Sequence, residues 1–526
     1  MPNILERPGV RVYQKYVSLH PTIIRPGLPV VIMGTCFNIQ EKVQPTDHNG
    51  LYSGTEASYV LPNWIDDSTL DPNSIAVYII NSDGEFEFDK TKITIDEENH
   101  KITLGVVTEL TKTILSSSVA SNDAGKLVDT TQDFIKSGIK ANGKYYIVIG
   151  DDEYKITKVS QTSLEATGLP ASETLVGYSV ILKSNPSGKV YISYIAQRTA
   201  DNKLYELASA DEIEKNLGKI TDENPLALGT YIASLNTTTT VYAVIVDEDD
   251  VDSYNKALEL LELKEVYSLV PLSQDKNILD ICKAHVDQMS LPENKKERIV
   301  LFNLKVDRDG KTKYEEAYNI KEVAESYNDK RVVLIMPDVV NISIDGNLVE
   351  LPGYYLGCAL GGAIAGNSPS QPFTNYAIAG INSLQYSNNY YSEYQMGIMA
   401  SGGVLIFEQL SEGGAITIRH QLTTAVGSIE TRELSIGTAI DFSSKFFRER
   451  MKPLIGKYNI TPEFLTGMCR PYAEGVLAAL KADNIIDTAT YIQDLYQDKD
   501  NPDTINIHIQ FMVLYPVNYI NIYLII

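Results

Sequence analysis

From Val241 to Pro337 the chain alternates uninterrupted apolar runs with amphipathic ones, and that alternation restricts the folds open to it more than any other feature. The apolar runs are VYAVIVD, VYSLVPL, RIVLFNL and RVVLIMPD. Between them lie VDSYNKALELLELKE and stretches around Ile278 to Met289 and Tyr314 to Tyr327, which have helical spacing. In the first, Val251, Tyr254, Leu258 and Leu261 fall on one helical face. A strand apolar on both faces needs cover on both faces. Such strands joined by helices predict a parallel sheet with helices packed on each side.

The rest of the chain does not repeat this pattern. From about Gly84 to Ala196 short β segments follow one another (FEFD, KITID, KITLGVV, KYYIVIG, EYKITKVS, SLEAT, SVILK, KVYISYIA), with turn chemistry at Asp83-Gly84, Asn142-Gly143 and Gly150-Asp151-Asp152. This predicts a β-rich insertion, a small barrel or sandwich. Before it, Pro21, Pro26 and Pro29 keep the first thirty residues extended around GVRVYQKYV, and VVIMGT from Val30 reads as a buried strand. After the α/β part, helices are expected from about Gly437 to Lys457 and Pro462 to Asn484, followed by a strand at ATYIQDLY. The expected fold is α/β and β, multidomain. Its parts are an N-terminal arm (1–30), a first part of the core (31–83), the insertion (84–195), the α/β core with a mostly parallel sheet (196–425), an α+β C-terminal domain (426–504) and a terminal strand arm (505–526).

That last segment, INIHIQFMVLYPVNYINIYLII, carries the strongest functional signal. Ile505, Ile507, Ile509, Phe511 and Val513 alternate with polar residues at the period of a half-buried strand, and after Pro516 the alternation resumes with Ile520, Ile522, Leu524 and Ile526. No charged residue follows Asp503. An apolar strand of this kind is a template for pairing unless its edge is occupied. Ile505 to Val513 fits either an internal strand of the chain's last sheet or an exchanged one. Tyr519 to Ile526 fits a strand added to another molecule.

Composition narrows the function. Lys and Arg number 45 against 68 Asp and Glu, a net charge of −23, which disfavours nucleic acid and anionic membranes as partners. The four cysteines form no CxxC pair, so neither a zinc site nor a disulfide framework is indicated, and no cofactor is expected. No apolar run approaches the length of a membrane span, and MPNILERPGV lacks a basic segment followed by an apolar core, so neither Sec export nor membrane insertion is expected.

Catalytic motifs come close without completing. GIKANGKY at Gly138 to Tyr145 has P-loop spacing, but Tyr145 replaces the magnesium-binding hydroxyl and a strand follows where a helix N-terminus is required. GCALGGAIAG lacks the dinucleotide-binding glycine order and suits close helix packing. Asp247 and Asp338 end strands, a common place for helix caps. Among six scattered histidines, His285 shares an apolar stripe with Ile278 and Cys282. A hydrolase would need Ser368 or Ser401 near it. No enzyme activity is expected.

The order of parts resembles the tail sheath proteins of contractile bacteriophages and related injection machines. The resemblance rests on the ERPGV arm, on LGKITDENPLALGTYIASLNTTTTVYAVIVD leading into the core, on ELSIGTAIDFSSKFFRERMKPLIGKYN opening the C-terminal domain, and on VLYPVNYINIYLI at the end. It covers residues 1–83 and 196–526. It implies a subtilisin-like core without protease chemistry, and a homo-oligomer of hexameric rings stacked helically around a tail tube protein, with baseplate and tail terminator partners. The implied place is the virion tail, assembled in the host cytoplasm. The implied mechanism is contraction that drives the tube through the host envelope. The subunit-linking arms would use Val10, Val12, Tyr13, Ile505, Ile507, Ile509, Phe511, Ile520, Ile522 and Leu524. A local excess of three positive charges over Asp441 to Lys457 marks Lys445, Arg448, Arg450 and Lys452 as the candidate tube-facing group. A tailocin sheath, a divergent α/β hydrolase and a secreted adhesin or surface-layer protein are the alternatives.

Overall fold

The computed structural model describes residues 27–65, 68–117, 121–123, 125–170 and 177–524. The predicted N-terminal arm residues Val10, Val12 and Tyr13, and Ile526 at the other end, lie outside the described residues.

The alternating segment builds the centre of a nine-stranded sheet. Strands Val241–Ile245, Val30–Gly34, Ser268–Pro271, Ile299–Asn303, Val332–Met336 and Val404–Gln409 lie side by side in that order and run parallel. Tyr205–Leu207 adds antiparallel at one edge, Ile416–Ile418 and Ala377–Ile378 at the other. Alternation divides each strand between two cores. Val30, Ile32, Leu301 and Ile335 face one core with helices Pro225–Ser234 and Tyr354–Gly366. Val31, Met33, Phe302 and Leu334 face the other with helices Val251–Glu262, Lys276–Met289, Lys313–Tyr327 and Glu393–Ser401. The expected doubly covered parallel sheet is present.

The glycines of GCALGGAIAG serve close packing. A Cβ on Gly361 would lie 2.5 Å from Val30 Cγ2 and one on Gly362 2.2 Å from the Ala233 carbonyl oxygen, so helix Tyr354–Gly366 sits closer to the sheet and to helix Pro225–Ser234 than any larger residue permits. The P-loop-like stretch is a turn before strand Tyr145–Ile149, and Lys144 pairs with Asp83. Neither strand-end aspartate caps a helix, contrary to expectation. Asp247 accepts the Ala200 N–H at 2.6 Å, and buried Asp338 accepts from the Arg308 guanidinium at 2.8 Å and the Val306 N–H at 3.1 Å.

The β-rich region is larger than the sequence pattern outlined. Strand Cys36–Val43 pairs with the eleven-residue strand Gly188–Arg198, which also pairs with Ala76–Asn81. Tyr52, Tyr59, Val77 and Ile79 share one core with Phe86, Ile147, Val180 and Ile192. The boundary drawn between residues 83 and 84 falls in the turn of the hairpin Ala76–Asn81/Gly84–Glu87, whose strands share that core. A second, seven-stranded sheet lies wholly within residues 110–184, and its entry and exit are adjacent, with Leu110 opposite Ser184.

After the α/β sheet, helix Leu434–Met451 packs against helix Arg470–Ala482, which follows a short helical turn at Pro462–Phe464 and a π-helical turn at Leu465–Cys469. The predicted 437–457 helix thus begins earlier and stops at Met451, with Pro453 just beyond. Strand Tyr491–Gln497 then forms an antiparallel hairpin with Ile505–Gln510.

Candidate assembly surfaces

Of the two places open to residues 505–513, an internal strand and an exchanged one, Ile505–Gln510 takes the internal one. Ile505–Gln510 is paired inside its own chain, with Ile507 opposite Leu495 and Ile509 opposite Ile492. Ile507, Ile509 and Phe511 pack partly buried against the large core that contains Phe442 and Leu477, so the two-residue alternation marks a face turned to the body. Among the described residues this sheet has only these two strands, and each has an unpaired edge. Two strands alone are marginally stable in water, and further strands would complete them.

Beyond the hairpin the chain remains attached for a few residues and then leaves. The Met512 N–H donates to Thr490 Oγ1 at 3.0 Å and its carbonyl accepts from the Asp487 N–H at 2.9 Å. The Tyr515 hydroxyl donates to Glu430 at 2.9 Å, and Asn518 Nδ2 donates to Glu433 at 3.0 Å. From Tyr519 to Leu524 none of the described residues covers the chain. Tyr519 is 77% exposed, Ile520 and Ile522 79% and Leu524 86%, and none of them pairs with a described strand. Apolar side chains at such exposure, in a row, mark a surface made for contact.

A groove of about 1240 Å³ opens beside the hairpin. It lies between Gly27–Pro29, the end of helix Leu434–Met451 and strand Ile505–Gln510, and Phe447, Met451, Ile455, Ile507 and Ile509 give it an apolar lining. Gly27, the first described residue, is in its wall.

The four basic residues picked from the sequence do not form one outward face. Asp441, Lys445 and Arg448 follow one another at helical spacing and turn toward the edge of the parallel sheet. Asp441 accepts from Arg331 at 2.9 Å and from the Tyr267 hydroxyl at 3.0 Å. The Lys445 side chain is 8% exposed, lies 3.9 Å from Glu265 and stands over the Tyr267 ring. Burial lowers its pKa, with Glu265 opposing. Arg448 grips Glu297 through both carboxylate oxygens and donates to the Lys295 carbonyl. Burial would raise the Glu297 pKa, but the Arg448 bonds outweigh it and hold the carboxyl below its usual range. Lys445 is therefore withdrawn from the tube-facing group, because a buried ammonium cannot meet a partner. Arg448 is largely spent inside the chain. Arg450, over the Phe446 ring, is half-buried and Lys452 is exposed, and the two reach solvent without the ion pair that holds the one-third exposed Arg448. The acids at Glu265 and Glu297, each next to a strand, were the available signal that basic residues of the helix would turn inward.

The residues of the hydrolase alternative stay apart. His285 is buried against Arg298, and burial together with that guanidinium pushes its pKa down to about 3. The Ser368 hydroxyl pairs with Ser370, and Ser401 donates to the Ile398 carbonyl of its own helix. Cys36, Cys282, Cys358 and Cys469 are all buried and free. Among the described residues no group of three or more His, Cys, Asp or Glu could hold a metal, and no helix is long and apolar enough to cross a membrane.

Known proteins are similar to parts of the chain. The tail sheath protein of Bacillus phage SP01 is 28% identical over 216 residues, which cover 40% of this chain and 35% of that protein. The chain is similar to contractile tail sheath proteins. It spans only about a third of that curated relative's length. The sheath of an extracellular contractile injection system, PVC, in its contracted state superposes with a TM-score of 0.48 at 13% identity, over 61% of this chain and 86% of that one. The sheath tail protein of Desulfitobacterium hafniense covers 96% of this chain and 100% of its own, with a TM-score of 0.40 and 11% identity. At these values the two structural likenesses carry no weight for function. No family profile matches the sequence.

Proposed function

We propose that the protein is the structural subunit of a contractile tail sheath, in which copies polymerise as a helical mesh around an inner tube and contract to drive it through a host envelope. The observation that carries this reading is the terminal segment 519–524. It is apolar, exposed and unpaired among the described residues, and it emerges beside a two-stranded hairpin with open edges. A segment leaving one copy and adding to the hairpin of the next is a heterologous contact, and such contacts repeat into open helical assemblies. Each terminal aliphatic side chain buried in that exchange contributes roughly 1.5–3 kcal/mol before ordering costs. The similarity to the phage SP01 tail sheath protein supports the same reading.

On this reading the partners are further copies in stacked hexameric rings, a tail tube protein, and baseplate and terminator proteins at the two ends. The protein acts in a virion tail after assembly in the host cytoplasm, or in a tailocin or related injection system. Residues 1–30, with Val10, Val12 and Tyr13, form the second linking arm. The parallel sheet corresponds to the subtilisin-like sheath core, with a structural role. The tube-facing contact falls to Arg450 and Lys452. Contraction exchanges one packing of rigid bodies for another while the arms keep neighbours joined.

Deleting Tyr519 to Ile526 tests the reading. The truncated chain should remain folded by circular dichroism and sediment as single subunits. Long assemblies from it would refute the arm's role.

A further inference from the structure

The described chain does not leave the body loosely at its C-terminal end. Glu433 has no exposed side-chain surface, yet it is ionisable, so its charge must be satisfied internally. Four side chains surround it. His420 Nε2 lies 2.9 Å from Oε1, Arg432 Nε 3.3 Å from the same oxygen, Gln421 Nε2 donates to Oε2 at 3.2 Å, and Asn518 Nδ2 donates to Oε1 at 3.0 Å. The first three come from the segment around Glu433 itself. Asn518 arrives from 85 residues away, as the last residue before the exposed arm. The same Nδ2 lies 3.3 Å from His420 Nε2, and the reverse amide orientation would set an oxygen against the carboxylate. Three residues earlier Tyr515 bonds Glu430, so two side chains of the chain end hold two carboxylates of the segment that opens helix Leu434–Met451.

From this geometry we infer that Asn518, with Tyr515, is the anchor at which the exchanged arm is fixed to the body of its own subunit. Pull on residues 519–526 from a neighbouring copy then reaches helix Leu434–Met451 through Glu433, and that helix is tied to the parallel sheet by Asp441–Arg331 and Arg448–Glu297. Without the anchor the same pull would act first on Met512 and peel the hairpin from its end. The inference rests on the arm-exchange reading and adds to it which residues position the arm and where its load enters the fold. Asn518 and Tyr515 are positioning residues, and neither would touch the partner.

The test uses the full chain with a nitroxide on V517C, an exposed position between the two anchoring side chains, and the four native cysteines are buried. In the parent the label should be restrained. In N518A, and more so in N518A/Y515F, its spectrum should sharpen while the melting temperature falls by no more than the loss of one bond to the buried Glu433 explains, and N518Q should restore part of the restraint. The critical concentration for assembly should rise about tenfold in N518A, the cost of ordering on docking an arm that the parent already holds in place. An equally restrained label in N518A overturns the anchor. So does a released label with an unchanged critical concentration. A chain ending at Asn518 separates the two claims: if it assembles like the full chain, the arm reading fails, whatever the label shows.

Discussion

Arg448→Glu should loosen the C-terminal helix from the sheet, whereas Lys452→Glu, four residues on, should not. Arg448 spans a bidentate contact to Glu297, one arm of it at 2.8 Å, and a further bond to the Lys295 carbonyl. Losing hydrogen bonds to charged partners costs about 1.5–3 kcal/mol. Two carboxylates about 4 Å apart at an effective dielectric of about 20 repel by about 4 kcal/mol. The Arg448 side chain is 33% exposed, so a glutamate there can turn partly to water and reduce that repulsion. A net cost of about 3 kcal/mol is expected, or roughly a hundredfold in local opening. Fluorescence would miss it, because the single tryptophan, Trp64, stacks on His100 and Tyr194 in the β-rich region. Hydrogen exchange across residues 434–451 at pH 7 reads it directly. The sign with pH follows from Glu297, whose folded pKa lies below 4.5. In the parent, its contribution is full above 4.5 and is lost as pH falls through the lowered folded value. In the variant, the penalty should shrink on acidification, because protonation removes the repulsion. Equal exchange in Arg448→Glu and Lys452→Glu would refute the assignment of Arg448 to the fold.

Gly362→Ala should cost 2 kcal/mol or more, on the order of an overpacked core, because its Cβ meets a backbone oxygen, whereas Gly397→Ala, with nothing within 4 Å, should be neutral or slightly stabilising; paired denaturant titrations check this. Replacing residues 111–183 by a short Gly/Ser linker should leave a folded chain that still assembles, since entry and exit of the seven-stranded sheet are neighbours, but a less stable one, because Ile147 and Val180 leave the core they share with Tyr52 and Val77. Replacing 85–194 should instead aggregate, because it removes most of Gly188–Arg198, the partner of both Cys36–Val43 and Ala76–Asn81; size-exclusion chromatography separates these outcomes. His285 is neutral when folded, with a pKa near 3 against an ordinary 6.5, so its contribution is complete above about 6.5 and declines as pH falls toward 3. His285→Gln should flatten the stability profile across that window in urea titrations.

The parallel sheet was legible because each strand is apolar on both faces and each helix on one, which fixes element type and cover together. The hairpin partner of Ile505–Gln510 was harder to find, since Tyr491–Gln497 alternates weakly and most of its side chains are exposed. Cys36–Val43 was missed for a similar reason. CFNIQEKV mixes charges into a strand that finds its partner about 150 residues later, and no local pattern announces a pairing at that distance. The inward turn of Lys445 was hidden because helix periodicity places Asp441, Lys445 and Arg448 on one face without saying what that face meets. The exposed arm was legible from the alternation and lack of charge after Asp503, but its anchor was not. Glu430 and Glu433 look like ordinary acids near a helix start until the fold brings Tyr515 and Asn518 against them.

Where residues 519–524 go when copies meet decides between an exchanged arm and one folded back on its own subunit. A cryo-electron microscopy reconstruction of the purified protein, assembled at high concentration, shows this without any substitution. Helical tubes are expected in which each terminal segment leaves its own subunit at Asn518 and lies along an open edge of the next subunit's hairpin 491–510, with Ile520, Ile522 and Leu524 covered. Terminal segments folded back onto their own subunit, or tubes joined solely by contacts between rigid bodies, would contradict the exchange.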